Sequence, residues 1–465
     1  MHRVIAKYGL AAHLAFVVVA PLFLFAFCTR EATSCSVLWL SLFAASWCFL
    51  APSVRAGEST HMARSRVLAG VARDPLFWTS LALVAFTGAR ALNGGVRMAY
   101  DAEASAWVLA QPALAYFPGC VTGAGLLPFA ASVALAVVLV GARHSLGRSA
   151  RMVFLLMASA GAGLASVVLL IAANQGNAVC RSMLAASPRL ASYFGFCEGV
   201  YFLCGLATLA TAFERSWMRA APLFALAIGG TALGVFSFAP AAFSALFAAL
   251  AVPVLLAAFA YLMRNVGRTS QFRYLAVVAI ALAFGVVVAL FATPPDALKG
   301  KLDVFLSLAF VPDGFLELRR TLSGIAFRAW REAPWIGTGL GSFGLDVRFQ
   351  AQPADWAVLP RGVATVANGG WWLLAERGIV GAVSLALPFV FVAYTYGRRV
   401  AKWATSGRFV VPHPACWLAP LVFVALAASI PFDGSFLRPD AWLAAIVAAS
   451  VAPRCFPSLK SSTHG

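Results

Sequence analysis

Ala367-Asn-Gly-Gly-Trp-Trp-Leu-Leu-Ala-Glu-Arg-Gly-Ile-Val-Gly381 is where the character of this chain changes. Upstream, from Pro294, lies a polar insert rich in Arg, Trp, Pro and Gly; downstream the sequence becomes a strongly apolar run over 370–395. Ahead of the insert the chain is a series of apolar runs joined by short, mostly basic connections. The insert itself carries a basic amphipathic run, Leu316-Glu-Leu-Arg-Arg-Thr-Leu-Ser-Gly-Ile-Ala-Phe-Arg-Ala-Trp-Arg-Glu332, followed by Pro334-Trp-Ile-Gly-Thr-Gly-Leu-Gly-Ser-Phe343. Any chemistry is expected in this stretch.

Working outward, composition sets the class. The chain is 62% hydrophobic and 11% charged, with a mean hydropathy of +0.85, against about 25% charged for soluble domains. Apolar runs of about 17–25 residues imply a polytopic membrane protein. Runs this long without strict alternation mean helices rather than a barrel, because in lipid the backbone must satisfy its own hydrogen bonds. The fold class is therefore an all-α polytopic membrane protein. Spans are expected over 9–28, 35–51, 76–94, 121–142, 152–173, 192–213, 221–237, 240–263, 274–293, 370–395, 416–431 and 439–452, about twelve in all. The start, Met1-His-Arg-Val-Ile-Ala-Lys7, leads directly into the first span, and no cleavable signal is evident.

The net charge of +18 would suit nucleic acid, but its placement argues for topology. Arg3, Lys7, Arg55, Arg64, Arg66, Arg73, Arg143, Arg148, Arg151, Arg215, Arg219, Arg264, Arg268, Arg273, Arg398, Arg399, Lys402, Arg408, Arg454 and Lys460 fall on one side. The other side's short loops hold only Arg30, Arg90, Arg97, Arg181, Arg189 and Arg438. The positive-inside rule then puts both termini in the cytoplasm and the insert outside. In a cell with two membranes that means the inner membrane and a large periplasmic loop. The chain divides into 1–293 with nine spans, the loop 294–369, and 370–465 with three spans and a tail.

The nine cysteines are mostly scattered in spans, as small apolar residues are. Cys28 with Cys35, and Cys120 with Cys180, lie at outer loops, and the sequence leaves their disulfides open. No CxxC metal pattern occurs, and no metal or other cofactor is expected. Glu198, inside the sixth span, marks either a cavity or partner at membrane depth or the nearby outer interface; both readings stand.

On a helix over 315–332, Arg320, Gly324, Arg328 and Arg331 share one side while Leu318, Leu322, Ile325 and Ala329 share another, with Arg319 at the edge. That pattern predicts an interfacial helix lying apolar face down on the bilayer, its guanidinium groups held over the surface. Forked guanidinium donors match phosphate and diphosphate oxygens. The plainer reading is a basic helix that touches anionic headgroups. Gly337, Gly339 and Gly341 form a close-approach stretch without the strand, Lys or Ser/Thr setting of a nucleotide loop, which reads as a tight turn after a helix.

Taken together, these features resemble the ligase/polymerase region of the O-antigen ligase superfamily, which handles glycans on undecaprenyl diphosphate. Arg319 stands fifteen residues ahead of a Pro-x-x-Gly-x-Gly-x-Gly-x-Phe element formed by Pro334, Gly337, Gly339, Gly341 and Phe343. A long outer loop follows. Asn368, Gly378 and Gly381 match the Asn-x9-Gly-x-x-Gly part of a family pattern, and Leu373-Leu-Ala-Glu376-Arg-Gly378 is similar to the family's Leu-Leu-Ala-Glu-x-Gly. The resemblance covers roughly 319–381 by motif and the whole chain by architecture.

The resemblance implies a metal-independent transfer of glycan from a lipid diphosphate to lipid A core or another acceptor, in the making of surface polysaccharide. It implies Arg319, Arg320 and Arg328 as diphosphate-binding groups and Glu376 and Asn368 as catalytic residues. Pro334, Gly337, Gly339, Gly341, Gly378 and Gly381 would set the loop geometry. Lipid-linked glycan, a glycan acceptor and membrane lipids are the partners, with no nucleic acid. Two positions depart from the family. Ala367 stands where members carry His, and Ala239-Pro240 follow Ser237 where an Arg is usual. The chain's six histidines, His2, His13, His61, His144, His413 and His464, all fall on or near the basic side. A base would then have to be Glu376, Asp346 or Asp355, with Glu376 as a structural cap the plainer reading. Trp335, Trp356, Trp371 and Trp372 could stack on sugars, although Trp also anchors at membrane interfaces. A polymerase, an inactive scaffold, and a lipid-carrier binder or transporter are the alternative functions.

The charge map makes a direct prediction. Reporter fusions at Ser149, Thr269 and Ser406 should read cytoplasmic and those at Ala354 and Ser435 external. A cytoplasmic reading at Ala354 would overturn the outside assignment of the insert.

Overall fold

A computed structural model of the chain describes residues 2–50, 52, 58–93, 97–110, 121, 124–178, 180–181, 191–212, 221–238, 241–265, 313–359, 368–405, 413–429 and 439–451. Helices dominate it: α1 (His2–Phe27), α2 (Arg30–Leu50), α3 (Thr60–Ala72), α4 (Pro75–Leu92), α5 (Leu126–Val140), α6 (Arg148–Asn174), α7 (Ala191–Ala212), α8 (Ala221–Phe238) and α9 (Ala241–Asn265). After these come α10 (Asp313–Glu332), α11 (Phe343–Gln350), α12 (Gly369–Thr405), α13 (Leu418–Ser429) and α14 (Pro439–Val451). Among the described residues, six helices are long and apolar enough to cross a membrane. The fold is that of an all-α membrane protein.

Every expected span that falls on described residues has a helix over it; 274–293 lies outside them. Local sequence explains several ends. Ser59 caps α3 through its side chain on the Met62 N–H. Asp74 caps α4 on the Leu76 N–H, with Pro75 preset in the first turn. Two helices contain π turns, Gly141–Ser145 after α5 and Ala225–Gly230 inside α8. The second sits at a close helix crossing: Gly163 of α6 has no room for a Cβ against the Leu226 carbonyl, and Gly230 meets the Gly163 backbone. Small residues at such crossings let backbones approach where lipid gives no hydrophobic drive.

α14 is the central post, buried on nearly all its described side chains and packed against both α5 and α7. Around it α2, α5 and α4 form one row, α1, α6 and α8 another, and α9 packs on α7. α12 joins the bundle through α4 and carries α10 on its first turns.

Three findings amend the sequence reading. The all-α description misses a hairpin in the connection after α4: β1 (Arg97–Asp101) pairs antiparallel with β2 (Ala106–Ala110). Asp101 closes it by accepting from the Glu103 and Ala104 N–H groups. Secondly, α3 is a helix that no span was expected to supply. Thirdly, α10 does not lay its apolar face on the bilayer. Leu322, Ile325, Ala326 and Ala329 are buried against Phe343, Val347 and Ala375, with Trp371 and Trp372 alongside. The periodicity was right; the covering surface is protein. Cys28, Cys35 and Cys180 are free thiols, and Cys120 lies outside the described residues.

α12 is broken at Gly378, which has φ 63° and ψ −171°. A Cβ there would stand 2.4 Å from the Trp335 carbonyl carbon and oxygen. Gly378→Ala should therefore cost about 3 kcal/mol or more in thermal unfolding. Gly397→Ala, in the same helix with nothing within 4 Å of an added Cβ, should stay within about 1 kcal/mol of native on the stabilising side. Equal effects would mean that the break is not held by close packing.

Candidate functional site

The glycine stretch and the broken helix are one structure. In a continuous α12, the Ile379 and Val380 N–H groups would donate to the Ala375 and Glu376 carbonyls. Here Ile379 N–H donates to the Pro334 carbonyl at 3.0 Å and Val380 N–H to that of Trp335 at 2.9 Å. The released carbonyls are taken in return: Thr338 N–H donates to Ala375 at 2.8 Å and Gly339 N–H to Glu376 at 3.2 Å. Two helical bonds are exchanged for four to the loop. The approach needs Gly337, at φ 69°, whose Cβ would lie 2.5 Å from the Arg377 nitrogen. At the loop's far end the Leu340 carbonyl accepts from the Val121 N–H, and Gly341 packs on Ala124. The expected tight turn is thus a strap threaded into a helix break.

The strap brings two carboxyls together. Glu376, two turns into α12, lies 7% exposed with Oε1 3.4 Å from the Phe343 N–H. It does act as a cap, but of α11 rather than of its own helix. The Trp372 indole N–H is turned toward it. Asp346, in the first turn of α11, is 2% exposed. Its Oδ2 lies 2.7 Å from the Thr338 hydroxyl and 3.1 Å from that of Ser342, and these hydroxyls are 2.8 Å apart. Burial, helped by the charges of Glu376 and Glu332, pushes the Asp346 carboxyl up to about 7 against the lowering pull of the two hydroxyls.

Cations surround the break. Arg90, fully buried in the last turn of α4, donates to the Glu376 carbonyl at 3.1 Å and lies over the Phe86 ring. Arg377 is 4% exposed, and its Nη1 has no hydrogen-bond partner. A Cβ on Gly381 would meet Arg377 and Phe86 together, so that glycine closes the packing here.

The expected clamp residues are dispersed along α10. Arg320 is exposed. Arg319 is half-buried, and desolvation lowers its guanidinium pKa. Arg328 is committed inside the insert, donating to Asp355 at 2.6 Å and to the Gln350 carbonyl at 2.9 Å. Asp355 is thereby paired, so it does not stand as an available base. Asn368 has its Oδ1 on the Gly370 and Trp371 N–H groups, which makes it the N-cap of α12. The cap signal is legible locally, as an Asn just before a long apolar run. Trp371 packs with Phe327 and Trp330 and is half-buried. Trp335 and Trp356 are exposed. Ala367, Ala239 and Pro240 lie outside the described residues.

Sequence reasoning missed Arg90, read only as a topological charge, and Arg377. Among the described residues no group of three or more His, Cys, Asp or Glu side chains is arranged to hold a metal ion. No protein-family model matches the chain, and none of the curated proteins matches it.

The Asp346 environment has a measurable consequence. Its carboxyl sits near 7 when folded against an ordinary value of 3.8. The folded state therefore holds the proton across that window, and the group's contribution, full below pH about 4, is lost as pH rises through about 7. Thermal unfolding of Asp346→Asn should lose this decline between pH 4 and 7. A native-like slope in the variant would show that another group carries it.

Proposed function

We propose that this chain acts on undecaprenyl-diphosphate-linked glycans as an O-antigen ligase-like protein of the inner membrane. It would have about twelve spans, both termini in the cytoplasm and its insert outside. The observation that carries the reading is the strap through the helix break. It joins the two sequence elements that resemble the family, the Pro334–Phe343 stretch and Glu376-Arg-Gly378, into one buried polar site.

Glycan transfer from a diphosphate needs a base for the acceptor hydroxyl and cations for the departing diphosphate. With Ala367 in place of the family's His, Asp346 is the carboxyl best tuned to take a proton at neutral pH. Glu376 holds α11, and Asp346 on it, in position. Arg319 and Arg320 are the guanidinium groups offered by α10 to a diphosphate; Arg328 instead secures the loop through Asp355. Removing Arg319 should accordingly weaken donor binding, whereas Arg328→Ala should act through stability.

The test is transfer in membrane vesicles supplied with lipid-linked glycan. Asp346→Asn should lower transfer by about 10²-fold or more while leaving donor binding intact. Native activity should rise as pH passes through about 7, when the base loses its proton. Ala367→His should restore activity to the Asp346→Asn variant if the remaining site is intact. Donor binding with no transfer by any variant would leave an inactive scaffold as the reading. Absence of donor binding would overturn the assignment.

A further inference from the structure

A second buried carboxyl lies away from the break, between α6, α7 and α8. Glu198 of α7 is 0% exposed, and neither of its carboxylate oxygens has a hydrogen-bond partner. The buried Ser166 hydroxyl of α6 faces it and has no well-formed hydrogen bond of its own. α8 closes the group: a Cβ on Gly234 would meet the Ser166 hydroxyl and stand 2.7 Å from Glu198 Cγ. Ser237, one helical turn past Gly234 on the same side, is 7% exposed with its hydroxyl likewise unpartnered.

Those free hydroxyls are unusual for this molecule. Ser159, Thr208 and Thr231, on the same three helices, each donate to a carbonyl of their own helix. Such back-bonding is the ordinary fate of a buried helical hydroxyl. Ser166 and Ser237 do not use it, so four oxygen atoms in three residues are left without partners in a bundle interior.

Nothing described nearby supplies a counter-charge. Cys197, Tyr201 and Cys204 are the other titratable groups among the described side chains of α7, and Tyr193 lies in its first turn. Arg151 of α6 lies about 22 Å along the helix from Ser166 and is held by the Leu146 carbonyl. The 3-10 turn Pro414–Trp417, packed on α7, brings Cys416 and its cap His413. The described side chains of α8, α9, α13 and α14 bring no charged group to it.

We infer that Glu198, Ser166 and Ser237 form an internal binding site for a sodium-sized monovalent cation. The donor set is all oxygen, which suits a hard cation. One carboxylate supplies one negative charge, which a monovalent ion neutralises and a divalent ion would overshoot in a low-dielectric interior. A proton would neutralise the charge and let the carboxyl and hydroxyls pair with one another, an outcome that the sodium and pH arms of the experiment separate from a bound ion. A carboxylate held at membrane depth is costly and so marks a site by default. The inference stands apart from the glycan site and does not rest on it.

The experiment is binding of radioactive sodium to the purified full chain in lipid nanodiscs, with choline as the ionic-strength control. Native protein should bind sodium, and its thermal stability should rise with sodium but not with choline. Glu198→Gln keeps the shape, removes the need for a counter-ion, and should abolish both responses while remaining folded. Ser166→Ala and Ser237→Ala should each weaken sodium binding by about five-fold. Carbodiimide labelling of Glu198, read by mass spectrometry, should be suppressed by sodium at fixed pH. The inference is overturned if native protein binds no sodium, if Glu198→Gln binds it equally, or if labelling responds to pH alone.

Discussion

The exchange of backbone hydrogen bonds at Gly378 is the constraint from which the rest of the site follows. A helix in an apolar environment cannot leave its carbonyls and N–H groups unpaired, because each such group costs roughly 1–3 kcal/mol or more. The break is tolerated because Pro334, Trp335, Thr338 and Gly339 present two acceptors and two donors in register with the groups released. That register fixes the strap to within one residue. A shift by one would put a side chain where Gly337 and Gly378 now face each other, with Cβ positions 2.6 Å or less from opposing backbone atoms. The insert and the following span are therefore a single folding unit, however distinct their compositions.

From this union comes the electrostatics. Threading the strap places Thr338 and Ser342 beside Asp346 and sets the α11 N-terminus against Glu376. Arg90 and Arg377 stand on the other side of the same break. Buried charges are costly, and exchanging them for apolar residues often stabilises a protein. A cluster of two acids and two arginines is thus poor stability engineering. Such a cluster, with a carboxyl moved toward neutrality, is what makes this the candidate site of the molecule.

How much of this was legible depends on whether the signal is local. Apolar runs, the Asp74 and Ser59 caps, and the amphipathic period of α10 are local, and each produced the corresponding helix. What α10 covers is not local, since the same stripe suits a bilayer or Ala375 and Phe343. The glycine spacing was visible, yet its meaning lies in pairing residues some forty positions apart, for which no periodicity exists. The hairpin escaped because its strands are five residues each, Tyr100 and Trp107 are more than half exposed, and no Asn-Gly or Asp-Gly turn announces it. Asn368 is the opposite case, since its cap on α12 follows from local chemistry alone.

The position of α4 ties the site to the rest of the bundle. At its start, Asp74 caps the helix while binding Arg143 at 2.8 Å and His144 at 2.7 Å, both from the π turn after α5. Against the raising effect of burial, the His144 hydrogen bond and the neighbouring Arg143 guanidinium hold the Asp74 carboxyl well below its usual range. At its other end, Arg90 holds the Glu376 carbonyl. Those anchors are sixteen residues apart, or about 24 Å along the axis, a little less than a hydrocarbon layer of about 30 Å. Polar fixation at both ends prevents α4 from sliding, so the height of the break relative to the Asp74 cluster is set. The helix break therefore stands at the opposite end of α4 from the Asp74 cluster.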